Sequence, residues 1–140
     1  MDLNGDGRPD IAYAGDNLGN MWKFDLTNIT AANWSVAFSG SPLFTAQGPG
    51  SYGGASRTVV QPISTVPTVR ANDRMKTVGT GPSATSVKVG GMMVAFGTGR
   101  NVTKLDPASN TVQTLYSVLD NTRYKVIDTT LGKRLQVHPG

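Results

Sequence analysis

The chain has 140 residues, about the length of one domain, of which 16% are charged, and its net charge is +4. The absence of cysteine excludes thiol catalysis, cysteine-ligated zinc and disulfide bonds, and no apolar run approaches the ~20 residues that span a bilayer. The 13 Lys and Arg are scattered along the chain, which argues against the clustered basic face expected of a nucleic-acid-binding protein.

The opening stretch, MDLNGDGRPD, places oxygen-bearing side chains at alternate positions of a glycine-rich loop. The candidate metal ligands, at positions 1, 3, 5, 7 and 9 of this loop, are Asp2, Asn4, Asp6, Arg8 through its backbone carbonyl, and Asp10. Gly7 holds the sixth position, where calcium loops of this type turn sharply. Because all of these donors are hard oxygens, the pattern predicts a Ca²⁺ site and not a zinc or copper site.

The residues after this loop argue against an EF-hand and give the site a structural role. An EF-hand carries a bidentate glutamate at its twelfth position, but Tyr13 stands there and a strand pattern follows. Without a cation, the three carboxylates of the loop would repel one another. We therefore expect the ion to fix the chain where Ile11 begins the first strand, and to stabilise the folded state by binding to it.

Two strands separated by the turn-forming segment DNLGN follow the loop. The segments IAYAG at 11–15 and MWKFDL at 21–26 predict a β-hairpin. Asp16 and Asp25 flank its strands and are predicted to accept hydrogen bonds from turn amides. Four aromatic side chains with alternating spacing are predicted to lie in the core between blades, with a ligand-binding platform as the alternative, namely Trp22, Phe24, Trp34 and Phe38.

Short strands separated by Gly, Pro, Asn and Asp turns continue along the chain. Strands are predicted in RTVVQPISTVPTVR, which Pro62 and Pro67 interrupt, and in MMVAFGTGR, TVQTLYSVLD and RLQVH; NDRMKTVGTGPSATSVKVGG predicts irregular chain or a short hairpin. This order predicts an all-β fold of antiparallel meanders and leaves sandwich, barrel and propeller open. A propeller needs at least four blades of about 40 residues, so this chain would form an arc of about two or three.

The segment DLNGDGRPDIAYAGDNLGNMWKFDL resembles the calcium-loop region in the C-terminal β-propeller of type IV pilus biogenesis factors and pilus-tip adhesins of the PilY/PilC type. The matching residues after the loop are Tyr13, Ala14, Gly15, Asp16, Gly19, Asn20, Trp22, Lys23, Phe24, Asp25 and Leu26. Further on, QPISTVPTV, VAFGTGR and QTLYSVLD resemble the next blade of that family in the same order. The resemblance implies a partial, quinoprotein-like β-propeller that binds no quinone. Residues 1–45 would hold the calcium loop, the hairpin and the rest of the first blade, and residues 46–140 a further blade or blades.

The resemblance also implies a function. A member of this family would be a cell-surface protein and not an enzyme, with no catalytic residues and with Ca²⁺ as its cofactor. It would support type IV pilus assembly, regulate retraction and twitching motility, and contribute to adhesion. Its partners would be pilins, minor pilins and a host or surface receptor, at the pilus tip or outer membrane, without nucleic acid and without a direct membrane span. The loop ligands carry over to the same five residues, although Asn4 replaces the commoner Asp and removes one charge.

The sequence leaves other interpretations open. An FG-GAP or VCBS-type repeat also combines a DxNxDGxxD loop with a short strand in calcium-binding propellers, although it does not usually continue into GNMWKFDL. A propeller hydrolase would need a convergent pair of Asp or Tyr side chains in a deep central cleft. A basic nucleic-acid binder would show salt-dependent DNA binding that survives chelation. The lack of a recognisable signal peptide leaves a cytosolic protein or a piece of a longer chain. We expect the second, because the sequence starts at the first ligand of the family's loop.

Overall fold

The computed structural model describes residues 1–51, 56–108 and 111–138. Its strands are β1 Ile11–Gly15, β2 Asn20–Asp25, β3 Ser35–Val36, β4 Phe44–Thr45, β5 Gln47–Ser51, β6 Ser56–Val60, β7 Thr68–Ala71, β8 Met75–Val78, β9 Thr85–Lys88, β10 Met92–Gly97, β11 Leu115–Asp120, β12 Tyr124–Thr129 and β13 Gly132–Val137. One short helical segment, α1, spans Ala37–Gly40, and single 3₁₀ turns span Ala31–Asn33, Gly81–Ser83 and Asp106–Ala108. In these described ranges, no helix is long and apolar enough to cross a membrane. The all-β prediction is confirmed.

The hairpin predicted from the sequence forms the centre of a four-stranded sheet. β1 and β2 pair antiparallel over the whole length of β1, and β2 pairs on its other side with β3 and then with β4. Asp16 caps the turn as predicted, since its Oδ1 accepts the N–H groups of Leu18 at 2.8 Å and Asn20 at 2.9 Å. Asp25 does the same after β2, where its Oδ1 accepts the Thr27 N–H at 3.0 Å. These local hydrogen bonds fix both ends of β2.

The remaining strands form a second sheet and three hairpins. β10 lies between β11 and β7 in the second sheet, and β5 pairs with β6, β8 with β9 and β12 with β13. Pro62 and Pro67 fall between β6 and β7, in agreement with the predicted interruption. A backbone hydrogen bond joins this region to the first hairpin, because the Ile63 N–H donates to the Asp16 carbonyl at 2.9 Å. Next to it, the Gly99 N–H donates to the Pro62 carbonyl at 2.6 Å.

A small apolar core connects the first sheet to the second. Its buried members are Met21, Ala46, Ile63, Val94 and Phe96. The rings of Phe44, Phe96 and Tyr116 pack together beside it, with centroids 4.9 to 6.1 Å apart. Gly15 allows β1 to approach this core, because a Cβ at that position would overlap the Ile63 side chain. The core therefore depends on contacts between residues that are far apart in the sequence.

Two of the aromatic side chains predicted to be buried lie outside this core. Trp34 is 47% exposed and Phe38 is 43% exposed, and the two aromatic side chains of β2 are only half-buried. The prediction of a core built from these rings is therefore wrong. The reason is the orientation of β2, which turns its other face inward and buries Met21 and Lys23 completely.

The predicted division of the chain near residue 45 stays a prediction. All strands of the first sheet lie within residues 1–45, and all strands of the second sheet lie within residues 46–140. This arrangement is compatible with one blade followed by at least part of another. The strands alone do not define where one blade ends, because β5 and β6 pair only with each other among the described strands.

Candidate metal centre and a buried ion pair

The acidic loop is curled by hydrogen bonds from its own backbone to its side chains. Asp2 accepts the Gly5 N–H at 2.7 Å with Oδ1 and the Gly7 N–H at 2.8 Å with Oδ2. Both glycines have positive φ angles, 77° and 83°, which L side chains rarely adopt. Hydrogen bonds from Gly7 and then Gly5 hold the pKa of Asp2 below its usual value. The sequence spacing thus produces a tight loop whose oxygens turn inward.

The side chains of Asn4 and Asp6 also accept hydrogen bonds from the loop backbone, each from the N–H group two residues ahead. Asn4 Oδ1 accepts the Asp6 N–H at 2.9 Å, and Asp6 Oδ1 accepts the Arg8 N–H at 2.9 Å. Asn4 also donates from Nδ2 to Asp6 Oδ2 at 3.3 Å. Short polar side chains bond their own backbone two residues ahead in such turns. These bonds set the direction of each side chain and leave the loop exposed to solvent.

Asp10 differs from the other loop residues because it is only 5% exposed. Its Oδ2 accepts the Leu3 N–H at 2.6 Å, its N–H donates to the Met1 carbonyl at 2.8 Å, and its carbonyl accepts the Leu26 N–H at 2.8 Å. Asp10 therefore closes the loop at its base and ties it to the end of β2. A structural role of this residue exists whether or not a cation is bound.

Four of the five predicted ligands line one cavity of about 300 Å³, which is also walled by Trp34 and the turn at 131–134. They are Asn4, Asp6, Arg8 and Asp10, whereas Asp2 does not line it. Among the described residues, no three Asp or His side chains are close enough together to hold a metal ion by themselves. A cation here would need the Asn4 amide oxygen and backbone carbonyls as well. These donors fit the chemistry of Ca²⁺, which takes six to eight oxygens. Calcium binding at this loop nevertheless stays a prediction.

A second polar cluster, not predicted from the sequence, lies at the end of β11. The Lys23 ammonium is 2.5 Å from Asp120 Oδ2, and both side chains are 1% exposed. The Tyr13 hydroxyl donates to the same oxygen at 2.5 Å, while Thr122 donates to Oδ1 from its N–H at 2.9 Å and its hydroxyl at 2.7 Å. The carboxylate is therefore satisfied on both oxygens. The cluster joins β1 and β2 to the end of the second sheet.

Aromatic rings cover the buried ammonium group. Lys23 Nζ lies 5.3 Å from the centroid of Phe38 and 5.1 Å from that of Tyr124, within the range of cation–π attraction. Apart from its ion contact with Asp120, Nζ has no hydrogen-bond acceptor in good geometry among the described residues. Phe38 reaches this position from a left-handed backbone conformation with φ of 54°, which is uncommon for a bulky residue. The buried ion pair is thus covered by two partly exposed rings.

The pKa values of Tyr13 and Asp120 are shifted in opposite directions in this cluster. Burial, and then the hydrogen bond to Asp120, raise the pKa of Tyr13 far above its ordinary value. Burial also opposes ionisation of Asp120, but its contacts with Lys23, Thr122 and Tyr13 outweigh that effect and lower its pKa. Tyr13 therefore stays protonated and Asp120 stays charged in the folded chain at neutral pH.

Tyr13→Phe is expected to reduce stability at neutral pH by about 1–3 kcal/mol, because a hydrogen bond to a charged group is lost. It should also flatten the alkaline loss of stability. In the folded chain the pKa of Tyr13 lies above the ordinary tyrosine value of 10.0, so its contribution is complete below that pH and declines above it, where only the unfolded state ionises. Urea unfolding at about pH 8 and about pH 11 measures both effects. An equal decline in the wild type and the variant would contradict this assignment.

Sequence features could have pointed to part of this cluster. Lys23 alternates with Met21 along β2, so a buried Met21 places Lys23 on the inward face. A fully buried lysine requires a counter-charge. The identity of that partner, Asp120, is not visible in the sequence, because the two residues are distant along the chain and meet only in the folded structure.

The fold and the loop together define an all-β protein built of antiparallel meanders, in which an acidic, glycine-rich loop precedes the first hairpin. Residues 1–136 match the family described as the PilY1 beta-propeller domain. The chain therefore belongs to this family, and its strands are part of a β-propeller. The resemblance seen in the sequence to pilus proteins of this type is confirmed.

The chain is also similar in sequence to individual proteins that carry the PilY1 name. The chain is 32% identical over 126 residues to a type IV pilus biogenesis factor PilY1 homolog of Xylella fastidiosa, a match that covers 86% of this chain and 7% of the relative. It is 31% identical over 137 residues to the type IV pilus biogenesis factor PilY1 of Pseudomonas aeruginosa strain PAO1, covering 85% of this chain and 10% of the relative. The chain thus corresponds to a tenth or less of these relatives' length. No solved structure matches it.

Proposed function

We propose that the chain is a calcium-binding segment of a cell-surface β-propeller that supports type IV pilus assembly and regulates pilus retraction. Membership of the PilY1 beta-propeller family supports the link to pili, because relatives carry the name of type IV pilus biogenesis factors. The observation that carries the calcium part is the cavity lined by Asn4, Asp6, Arg8 and Asp10. The side-chain oxygens of Asn4, Asp6 and Asp10, with the Arg8 backbone carbonyl, would be the donors, and oxygen donors suit Ca²⁺.

In this proposal, the loop acts on the hairpin that follows it. Asp10 is bonded to Leu3 on one side and to Leu26 after β2 on the other. A cation held by the loop would therefore stiffen the open end of the β1–β2 hairpin, where β1 begins and β2 ends. Since the ion would bind the folded loop and not the unfolded chain, it would stabilise this part of the propeller, and the stabilisation would grow with the logarithm of the ion concentration once that exceeds the dissociation constant.

The proposed protein is not an enzyme, and it acts by binding. Its partners are pilins and minor pilins, with a host or surface receptor for a contribution to adhesion, and its location is the cell surface at the pilus tip or outer membrane. The tight ion pair of Lys23 and Asp120 is fully buried, which suits a structural role better than a catalytic one. Twitching motility would then depend on calcium through this loop.

The proposal is tested in bacteria that produce the full-length protein containing this segment. With Asp6→Ala, we expect surface piliation and twitching to lose their response to calcium, because Asp6 lines the cavity and its carboxylate is a predicted ligand. In cells without the retraction motor, the same variant should retain surface pili. Asp73→Ala, at an exposed position outside the loop, is the matched control. A calcium response that is unchanged in Asp6→Ala would contradict the proposal.

A further inference from the structure

We propose that the β8–β9 hairpin docks an extended, acidic segment of a partner protein along the outer edge of β8. Every residue of β8 and β9 is exposed, and among the described strands each of the two pairs only with the other. A two-stranded hairpin without further packing is marginal in water, so a third strand would stabilise it. None of its residues lines the cavity of the acidic loop, and the proposal is therefore independent of calcium binding.

Met75 and Thr77 present unpaired backbone groups at this edge. The Val89 N–H donates to the Arg74 carbonyl at 2.7 Å, so the even-numbered residues of β8 take part in the ladder with β9. Antiparallel strands exchange bonds at alternate residues, and Met75 and Thr77 therefore turn their N–H and C=O groups away from β9. No described backbone group outside the hairpin bonds to them. They are the donors and acceptors that an added strand uses.

A cavity of about 670 Å³ runs along the same edge. Five consecutive residues, 72–76, line it, which places the cavity beside the backbone of the strand, since residues on one face would alternate. Its opposite wall includes Met93 of β10 and Leu119 of β11, which are register partners on the face of the second sheet that points away from the core. Every second side chain of an added strand would contact this apolar wall.

The charges around the cavity select an acidic occupant. Arg70, Arg74 and Lys76 line the cavity, and none of the three forms an ion pair with a described residue. Asp73 also borders it, but its carboxylate is 3.9 Å from the Lys88 ammonium on β9 and is not part of the proposed contact. Three cations thus surround a partly apolar cavity without counter-charges. Carboxylates on a docked segment would supply them, and such complementarity sets partner choice and register.

A second copy of this chain is a poorer occupant of the edge. Lys76 and Lys88 stand on the two strands of the hairpin, and lysine on an edge strand opposes pairing with an identical edge. Like charges placed opposite each other destabilise a sheet, and each copy carries a net charge of +4. A segment rich in Asp or Glu replaces this repulsion by attraction.

The test measures binding of a labelled synthetic peptide to the whole chain, in chelator, by fluorescence anisotropy. The probe is a strand of about eight residues in which Glu alternates with Val or Thr, and a matched peptide has Gln in place of Glu. We expect the acidic peptide to bind about tenfold or more tightly than the Gln peptide, and Lys76→Glu to weaken its binding by about tenfold. No binding of the acidic peptide, or equal affinity for the two peptides, would overturn the proposal.

Two further comparisons separate strand pairing from charge attraction. Thr77 and Ser86 are register partners on opposite strands, and proline is tolerated on an edge strand where the N–H faces solvent. Thr77→Pro removes a donor from the proposed edge and should weaken binding severalfold, whereas Ser86→Pro alters the other edge and should leave it unchanged. A probe methylated at one alternate set of its backbone nitrogens should lose binding, while methylation of the other set should preserve it.

The two sets of outcomes decide the proposal in the same way. Equal binding of both methylated probes would show that no strand is added and would overturn the proposal. Sedimentation of the chain alone would also overturn it, if it showed a dimer that Thr77→Pro dissociates and Ser86→Pro does not. That result would assign the edge of β8 to a second copy.

Discussion

Asp120→Ala is expected to lower the free energy of unfolding by about 3–5 kcal/mol, because it leaves a buried charge without its counter-ion. Lys23 is 1% exposed and lies 2.5 Å from Asp120, so its ammonium group has no access to water in the folded chain. The same change removes the acceptor for the Tyr13 hydroxyl and both Thr122 donors. Urea unfolding at neutral pH, monitored by tryptophan fluorescence, measures the loss.

The chain offers a matched control for this ion pair. Lys88 and Asp73 form a pair at 3.9 Å whose side chains are 72% and 77% exposed, and exposed pairs contribute about 0–1 kcal/mol. Asp73→Ala should therefore change stability by less than about 1 kcal/mol. A double variant, Lys23→Met with Asp120→Leu, should recover much of the loss, because no unpaired charge remains buried. Equal destabilisation by Asp120→Ala and Asp73→Ala would show that the buried pair has no special role.

Asp10→Ala is expected to destabilise the chain by about 1–3 kcal/mol even in chelator, because it removes an acceptor at a buried position. Asp10 is 5% exposed, and its Oδ2 accepts the Leu3 N–H at 2.6 Å. Asp6 is exposed and accepts a hydrogen bond within the loop, so Asp6→Ala should cost less than about 0.5 kcal/mol in the same buffer. Thermal and urea unfolding without calcium separate the two variants.

Asp10→Ala and Asp6→Ala should differ in stability without calcium but should both lose calcium binding. Both residues are predicted ligands and both line the same cavity, so each variant should lose the stabilisation that we expect calcium to give the wild type. Asp10 would then have a structural role and a ligand role, whereas Asp6 would have only the latter. If Asp10→Ala is as stable as the wild type in chelator, the structural role assigned to the hydrogen bond between Asp10 and Leu3 is contradicted.

The elements that the sequence predicted best are those with strong local signals. The first hairpin is marked by the turn segment between two apolar runs, and Asp16 caps it through bonds to residues only two and four positions away. β10 is a continuous apolar segment, and its Val94 and Phe96 are buried as such a strand requires. In each case, the chemistry that decides the structure is contained in a few neighbouring residues.

The features that the sequence did not predict depend on distant contacts. Alternation along β2 shows that the strand has two faces, but the choice between them follows from Lys23 meeting Asp120 at the far end of the second sheet. The exposed position of Trp34 has a local cause instead, since its Nε1 donates to the carbonyl of Asn28, six residues earlier, at 2.9 Å and its ring remains at the surface. The curled state of the acidic loop was anticipated from its spacing, although the separate position of Asp10 at its base was not.

The two polar sites meet at the same hairpin. The loop is attached to the start of β1 and the end of β2 through Asp10, while Tyr13 on β1 and Lys23 on β2 belong to the buried cluster at Asp120. A cation in the loop would therefore order one end of a hairpin whose inward face is fixed to the second sheet. This arrangement gives calcium a physical route to stabilise more of the propeller than the loop alone.

Calorimetric titration of the chain with Ca²⁺ and Mg²⁺, repeated on Asp6→Ala, tests the central claim most directly. We expect one calcium ion per chain with a dissociation constant of about 10⁻⁴ to 10⁻³ M, weaker binding of Mg²⁺, and loss of the heat signal in the variant. The same heat of calcium binding in Asp6→Ala, or no binding by the wild type, would contradict the claim that the first ten residues hold a calcium ion.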